Sequence, residues 1–446
     1  MALIDVIYNI DEERRKQGLP NRSNNSSMNS RASLGKRTMT NAVLNLLGDL
    51  DQFLDLENDT ESLKSARSQK SQKRYSQEVP RGPICPSPLD ELHQIEEVTI
   101  CEICQQAPAP VLQAVTSGHT LCLKYALRRE EDPVDLKTLR TPNGASAVHI
   151  AAKRGDEDSM LELLYYEPRA AKLQDYRGAS PTHVAAYNGQ VATLKALLMY
   201  GGAVTQKSHD GAFPAHYSAA AGKLNCLKLL FEYGASANDR TTTGITPVYF
   251  AAQEGHLDCL SWLVREVNGD ANIKSSDGMT PLHAAAQTGK LQCVHWLVTH
   301  GRTNVRSRTV DGATPMHFAA ARGQLEVLEW LMNLLLTDGL ERDDFGATPI
   351  HDAAEQGQLE CLRVFASWGL DFTLKDDDGL TPLDLAKQRE QTKCVKFIGS
   401  ILSGKYRANQ SNKGTFQSSK SVAKSIGVRS SIGKGKEKKF RWPWRK

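Results

Sequence analysis

Apolar positions along this chain follow two rhythms, one inside the other. Over a segment such as 291–299, Leu291, Val294, Trp296 and Leu297 recur at the spacing that gathers one face of a helix. At longer range the whole pattern returns. Turn glycines fall at Gly144, Gly178, Gly211, Gly244, Gly278, Gly312, Gly346 and Gly379, always 33 or 34 residues apart. The clearest copy, residues 277–289, reads Asp-Gly-Met-Thr-Pro-Leu-His-Ala-Ala-Ala-Gln-Thr-Gly. A fixed period of this length predicts a solenoid of helix pairs, in which a single unit cannot bury its apolar face and must stack on its neighbours.

Each position of the copy has a physical assignment. The first glycine, often preceded by Asp (Asp210, Asp277, Asp311, Asp378), suits a tight turn. Thr280, Thr314, Thr348 and Thr381 stand where a helix N-cap is expected. Pro181, Pro247, Pro281, Pro315, Pro349 and Pro382 follow at the first helical position, where a missing N–H costs nothing. Alanine pairs such as Ala284-Ala285 and Ala319-Ala320 let helices approach closely. A second glycine (Gly155, Gly189, Gly222, Gly255, Gly289, Gly323, Gly357) ends the first helix.

These residues resemble the ankyrin repeat, over about two thirds of the chain. The resemblance implies an L-shaped unit with a hairpin finger and two antiparallel helices. Stacked at layer spacings of about 8–10 Å, nine such units would make a curved rod of roughly 80 Å. The expected fold class is all-α: an ankyrin-repeat solenoid of about nine repeats over residues 108–403. An N-terminal extension (1–107) precedes it and a basic tail (404–446) follows. The first unit, Val111 to Leu127, lacks the Thr-Pro opening, and the last, from Leu383 to Glu390, loses both the His and the helix-ending glycine. Both suit terminal caps. The resemblance also implies that His149, His183, His216, His283, His317 and His351 hydrogen-bond within the repeat and do not bind metal.

Two copies are worded unusually. Residues 244–255 read Gly-Ile-Thr-Pro-Val-Tyr-Phe-Ala-Ala-Gln-Glu-Gly, with Tyr249 in the histidine's place, and residues 346–357 read Gly-Ala-Thr-Pro-Ile-His-Asp-Ala-Ala-Glu-Gln-Gly. Together with the copy at 277–289 they closely resemble the array of the espin family, which includes the insect protein forked. That resemblance implies an actin-bundling protein of stereocilia, microvilli and bristles whose array binds the tail of class III myosins. No proline-rich region follows the array and no clear actin-monomer-binding motif is found, so array-mediated binding carries over better than bundling does. In this fold, exposed first-helix positions after the alanine pairs line a concave groove. Gln253, Glu254, Gln287, Glu355 and Gln356 are the expected partner-binding residues, with Tyr187 and Tyr249 as additions.

Composition narrows the picture. No apolar run approaches the eighteen-odd residues of a membrane span, and the N-terminus turns acidic without a signal-peptide core. A soluble, cytoplasmic protein is expected, in actin-rich projections by the resemblance. Of nine cysteines, Cys122, Cys226, Cys259, Cys293 and Cys361 each lie four residues after a helix-ending glycine, and Cys394 falls in the matching helix. They read as a column of reduced core residues, too far apart to bridge. Cys101-Glu-Ile-Cys104 is half of a zinc site that Cys85, His93 or His119 could complete. No second Cys-x-x-Cys exists, so the expectation is free thiols and no metal. There is no Gly-rich phosphate loop and no nucleophile–base set that the fold would assemble. A non-enzymatic protein without cofactor or small-molecule substrate is expected.

The termini are different material. Residues 21–31 and 62–77 are too polar to fold. Between them, Val43, Leu46, Leu47, Leu50, Phe53 and Leu54 recur at helical spacing within 40–56. That helix could dock on the protein's own repeats, even in the groove, bind a partner, or serve as a nuclear-export pattern. From residue 404 the tail holds thirteen Lys and Arg against one acid, Glu437, a net of +12 in a chain whose total is +4, so everything before it sums to −8. Its end interleaves aromatics with cations: Lys434, Lys436, Lys438, Lys439, Phe440, Arg441, Trp442, Trp444, Arg445 and Lys446. Actin filaments first and an anionic membrane surface second are the expected targets of this charge, and nucleic acid is not expected.

Overall fold

The computed structural model describes residues 101–405, apart from 102, 105, 106, 108, 129–133 and 336–340. The expectations placed on the 40–56 helix and on the tail from Lys434 to Lys446 lie outside the described residues. Eighteen α-helices pair into nine helix–turn–helix units, and no strand occurs among the described residues. The first helices of the units are α1 (Pro110–Ser117), α3 (Ala147–Arg154), α5 (Pro181–Asn188), α7 (Pro214–Ala220), α9 (Pro247–Glu254), α11 (Pro281–Gln287), α13 (Pro315–Ala321), α15 (Pro349–Glu355) and α17 (Pro382–Gln388). The second helices are α2 (Thr120–Leu127), α4 (Glu157–Tyr166), α6 (Val191–Met199), α8 (Leu224–Glu232), α10 (Leu257–Arg265), α12 (Leu291–Thr299), α14 (Leu325–Leu335), α16 (Leu359–Ser367) and α18 (Thr392–Leu402).

Local chemistry fixes where each first helix starts and stops. Thr280 is extended (φ −96°, ψ 166°) and Pro281 takes the first helical position, so α11 begins with no amide wasted. Two turns later Gly289, at φ +74°, reverses the chain so that the Lys290 amide donates back to Ala285 O at 2.9 Å. The second helix begins immediately. Its inner face, Cys293, Val294, Trp296 and Leu297 in α12, is buried.

Between units the chain runs out and back as a finger. The Ser275 amide donates to Met279 O within the finger, and Val310 of the next finger donates to Asp277 O at 3.0 Å. Equivalent amide-to-carbonyl links join Ser276 to Thr243 and Asp344 to Asp311. Gly278 is required twice over: its φ is +77°, and an added Cβ would lie 2.6 Å from the Val310 nitrogen. Behind the fingers the first helices of neighbouring units pack more extensively on one another than the second helices do. Ala284, Ala285, Ala319 and Ala320 are completely buried there.

The last unit departs from the rule for a physical reason. Every inner histidine serves the unit after it, and α17 has no helical unit after it among the described residues. Asp384 replaces the histidine and closes a local capping box, accepting from the Thr381 amide at 3.1 Å and the Thr381 hydroxyl at 2.6 Å. The helix-ending glycine is also lost, and Glu390 must adopt φ +58° in its place.

Candidate functional site

The six repeat histidines are joints between units. His283 Nδ1 lies 3.1 Å from the Thr280 amide and 2.8 Å from its hydroxyl, so it is an acceptor and the ring proton sits on Nε2. Nε2 then donates to Ala313 O of the next unit at 3.3 Å. His149, His183, His216 and His317 repeat the arrangement with Ala179, Ala212, Ile245 and Ala347, at 3.0 to 3.3 Å. His351 reaches Leu374 O instead, at 3.1 Å. Burial pulls the pKa of His149, His183, His216, His283 and His317 down to about 4, so these rings are neutral near pH 7.

Residues four and five places past each joint form a column along the C-terminal ends of the first helices. Tyr187, Gln253, Gln287 and Glu355 share the first of these places, with Glu254 and Gln356 beside them. Tyr187 is half-buried, its ring edge-on to Tyr217 at 6.5 Å. Glu254 and Gln287 are half-buried and Gln356 is exposed. Burial raises the pKa of the Glu254 carboxyl, against the pull of Lys290.

Three residues of the set are placed deeper than a groove lining would be. Tyr249 is only 3 % exposed, because it fills the joint position; its hydroxyl meets Met279 Sδ at 3.7 Å where a histidine would meet a carbonyl. It is a core residue, which corrects its expected place in the groove. Glu355 is buried in an ion pair with Arg389 of the last unit, Nε to Oε1 at 3.0 Å. Gln253 is nearly buried too, and its Oε1 has no donor among the described residues.

Sequence reasoning overlooked the finger tips. Tyr176 and Val310 stand two residues before turn glycines and are 70 % and 67 % exposed, large apolar groups held out into solvent. The signal was available: an aromatic or aliphatic residue at a position that His209, Thr242, Ser276, Asp344 and Asp377 fill in other units. It also overlooked a ladder of side chains behind the first helices. Gln324 and Gln358 donate back to Gln287 O and Ala321 O at 3.1 and 3.2 Å, and His256 reaches Ala220 O at 3.0 Å.

The thiols ahead of the array are not isolated. Cys101, Cys104, His119 and Cys122 come together, with Cys104 buried in the core of the first unit. The Cys104 amide donates to Cys101 Sγ at 3.4 Å and holds that thiol's pKa down to about 7, while burial pushes Cys104 up to about 12. Cys122, read from the spacing as one of the core column, belongs to this cluster as well. The remaining described cysteines are buried free thiols; burial raises Cys226 to about 11 and Cys259 to about 12, leaving them unreactive.

A protein defined by such a stack is a protein–protein interaction scaffold. The family model for ankyrin repeats (three copies) matches residues 111–208, 182–275, 267–338 and 331–404, and the chain belongs to the ankyrin-repeat family. Among curated proteins none matches it.

Proposed function

We propose that the array grips a peptide, extended or helical, along the column that includes Tyr187, Glu254, Gln287 and Gln356, with Tyr176 and Val310 as apolar anchors on the fingers. The observation that carries this reading is the contrast within each first helix. In α11 every residue from Pro281 to Ala286 is buried, and solvent reaches Gln287 at its end. Polar positions offered at one register of successive units suit backbone and side-chain hydrogen bonds to a long ligand.

By the wording of its repeats, the protein is a non-enzymatic scaffold of the actin cytoskeleton whose peptide is the tail of a class III myosin. Its basic tail would hold the complex on acidic filaments. A second reading, a membrane-tethered adaptor without actin contact, is favoured by Trp442 and Trp444 among the cations, since indole rings prefer the lipid interface. Co-sedimentation of the full chain and of a chain ending at residue 403, with actin filaments and with phosphatidylserine vesicles, separates the two. Tail-dependent pelleting with filaments supports the first reading, and tail-dependent pelleting with vesicles alone supports the second. For the groove, Gln287→Arg with Gln356→Arg should weaken a myosin-tail peptide at least about tenfold in fluorescence anisotropy, the loss expected when paired polar groups are replaced by misplaced charge.

A further inference from the structure

Where the chain enters the first unit, four soft donors converge. Cys101 Sγ lies 3.2 Å and Cys104 Sγ 3.4 Å from His119 Nδ1, Cys122 Sγ lies 3.7 Å from Cys101 Sγ, and all four atoms are within 4.8 Å of one another. As a hydrogen-bond network the set is poor. One proton on Nδ1 can serve only one of its two sulfur neighbours, and a thiol is a weak donor. As a coordination sphere it fits. Tetrahedral bonds of about 2.3 Å to sulfur and about 2.0 Å to imidazole require S···S edges of about 3.8 Å and S···N edges of about 3.5 Å.

We propose that Cys101, Cys104, His119 and Cys122 bind one zinc ion, through three thiolates and the Nδ1 of the imidazole. Four protein ligands leave no open position, which makes the site structural and not catalytic. The sequence has the matching form once the second half is sought as His-x-x-Cys: Cys101-x-x-Cys104, fourteen residues, then His119-x-x-Cys122. Cys226, Cys259, Cys293, Cys361 and Cys394 stand outside this group, so the cluster is not a by-product of the column of buried cysteines.

The place in the fold says what the ion does. The first unit has neither the Thr-Pro opening nor a joint histidine, and α1 has no helical unit packed ahead of it among the described residues. A metal tying the turn at Cys101–Cys104 to the start of α2 fixes the end of the stack, where a solenoid otherwise frays. Binding converts thiols to thiolates and releases their protons to solvent.

The test uses the full chain, purified under reducing conditions without chelator or metal-affinity tag. Elemental analysis should find about one zinc per chain, and replacement by Co²⁺ should give the intense red-region absorption of tetrahedral cobalt–thiolate, with a sulfur-to-metal charge-transfer band. Cys104→Ser combined with Cys122→Ser should abolish both, whereas Cys226→Ser, a buried thiol outside the cluster, should leave both unchanged. Stripping the metal should lower amide-exchange protection across residues 110–127 at least about tenfold and leave residues 281–299 as they were. Iron in place of zinc, no metal and no cobalt spectrum in a chain whose thiols are all free, or undiminished zinc in the double variant would each overturn the assignment. The cobalt titration of the unaltered chain decides the matter even if the double variant does not fold.

Discussion

The histidine of the repeat illustrates how one side chain can do three jobs. In α11, His283 takes a proton-free Nδ1 to the N-cap, a protonated Nε2 to the next unit, and its ring edge to Phe318 at 5.6 Å. His283→Ala should therefore cost about 2–4 kcal/mol, since it opens a cavity, leaves the Thr280 cap amide unpaired and removes the second of two donors to the Ala313 carbonyl, which keeps the Thr309 amide. Tyr249→Phe at the matching place should change stability by less than about 0.5 kcal/mol, because its hydroxyl has only a thioether to lose. Urea midpoints of the two variants decide this; equal losses would show that Tyr249 is a joint of the same kind. The sequence showed that Tyr249 replaced a histidine. It did not show that the ring would be swallowed, because a tyrosine near the end of an expected groove reads equally well as an exposed contact.

At the scale of the element, almost every boundary follows from local rules: Thr and Pro at the start, glycine at the stop, an Asp cap at Asp156 whose carboxylate accepts from the Ser159 amide at 3.1 Å. Among the first helices the exception at the stop is α17, which is followed by Glu390 in a left-handed conformation that costs an L-residue about 1–2 kcal/mol. Glu390→Gly should raise the stability of the last unit by about 1 kcal/mol, read as slower amide exchange across residues 382–402, and unchanged exchange there would contradict it. The element scale also explains what the column of candidate binding residues could and could not reveal. Register placed Gln253, Gln287 and Glu355 at equivalent positions. Whether each faces solvent depends on the next unit, and Arg389 covers Glu355 from the unit that follows.

The whole molecule inherits a pH response from its joints. His149, His183, His216, His283 and His317 stay neutral in the fold down to about pH 4, whereas in the unfolded chain they take up protons below their ordinary 6.5. Between these values the unfolded state binds more protons, so stability is complete above 6.5 and is lost as the pH falls towards 4. Each joint contributes up to about 1.4 kcal/mol per pH unit in that window. Asp175, Asp239 and Glu254, whose carboxyls burial pushes up, act in the opposite sense but are only partly enclosed. Urea midpoints should drop steeply between neutral pH and about pH 4.5; a flat profile would mean that the joints open before they titrate.

The residues alone determined the period, the helix pairs and the caps, because each is set by contacts within one unit; they placed the histidine bonds inside the repeat and did not show that Nε2 reaches the next one. Tertiary structure alone decided which of the candidate binding residues face solvent and which thiols meet. Those outcomes depend on side chains brought together from different elements, as Cys101 and Cys104 are with His119 and Cys122, and a spacing rule that looks for one motif at a time does not register such a meeting.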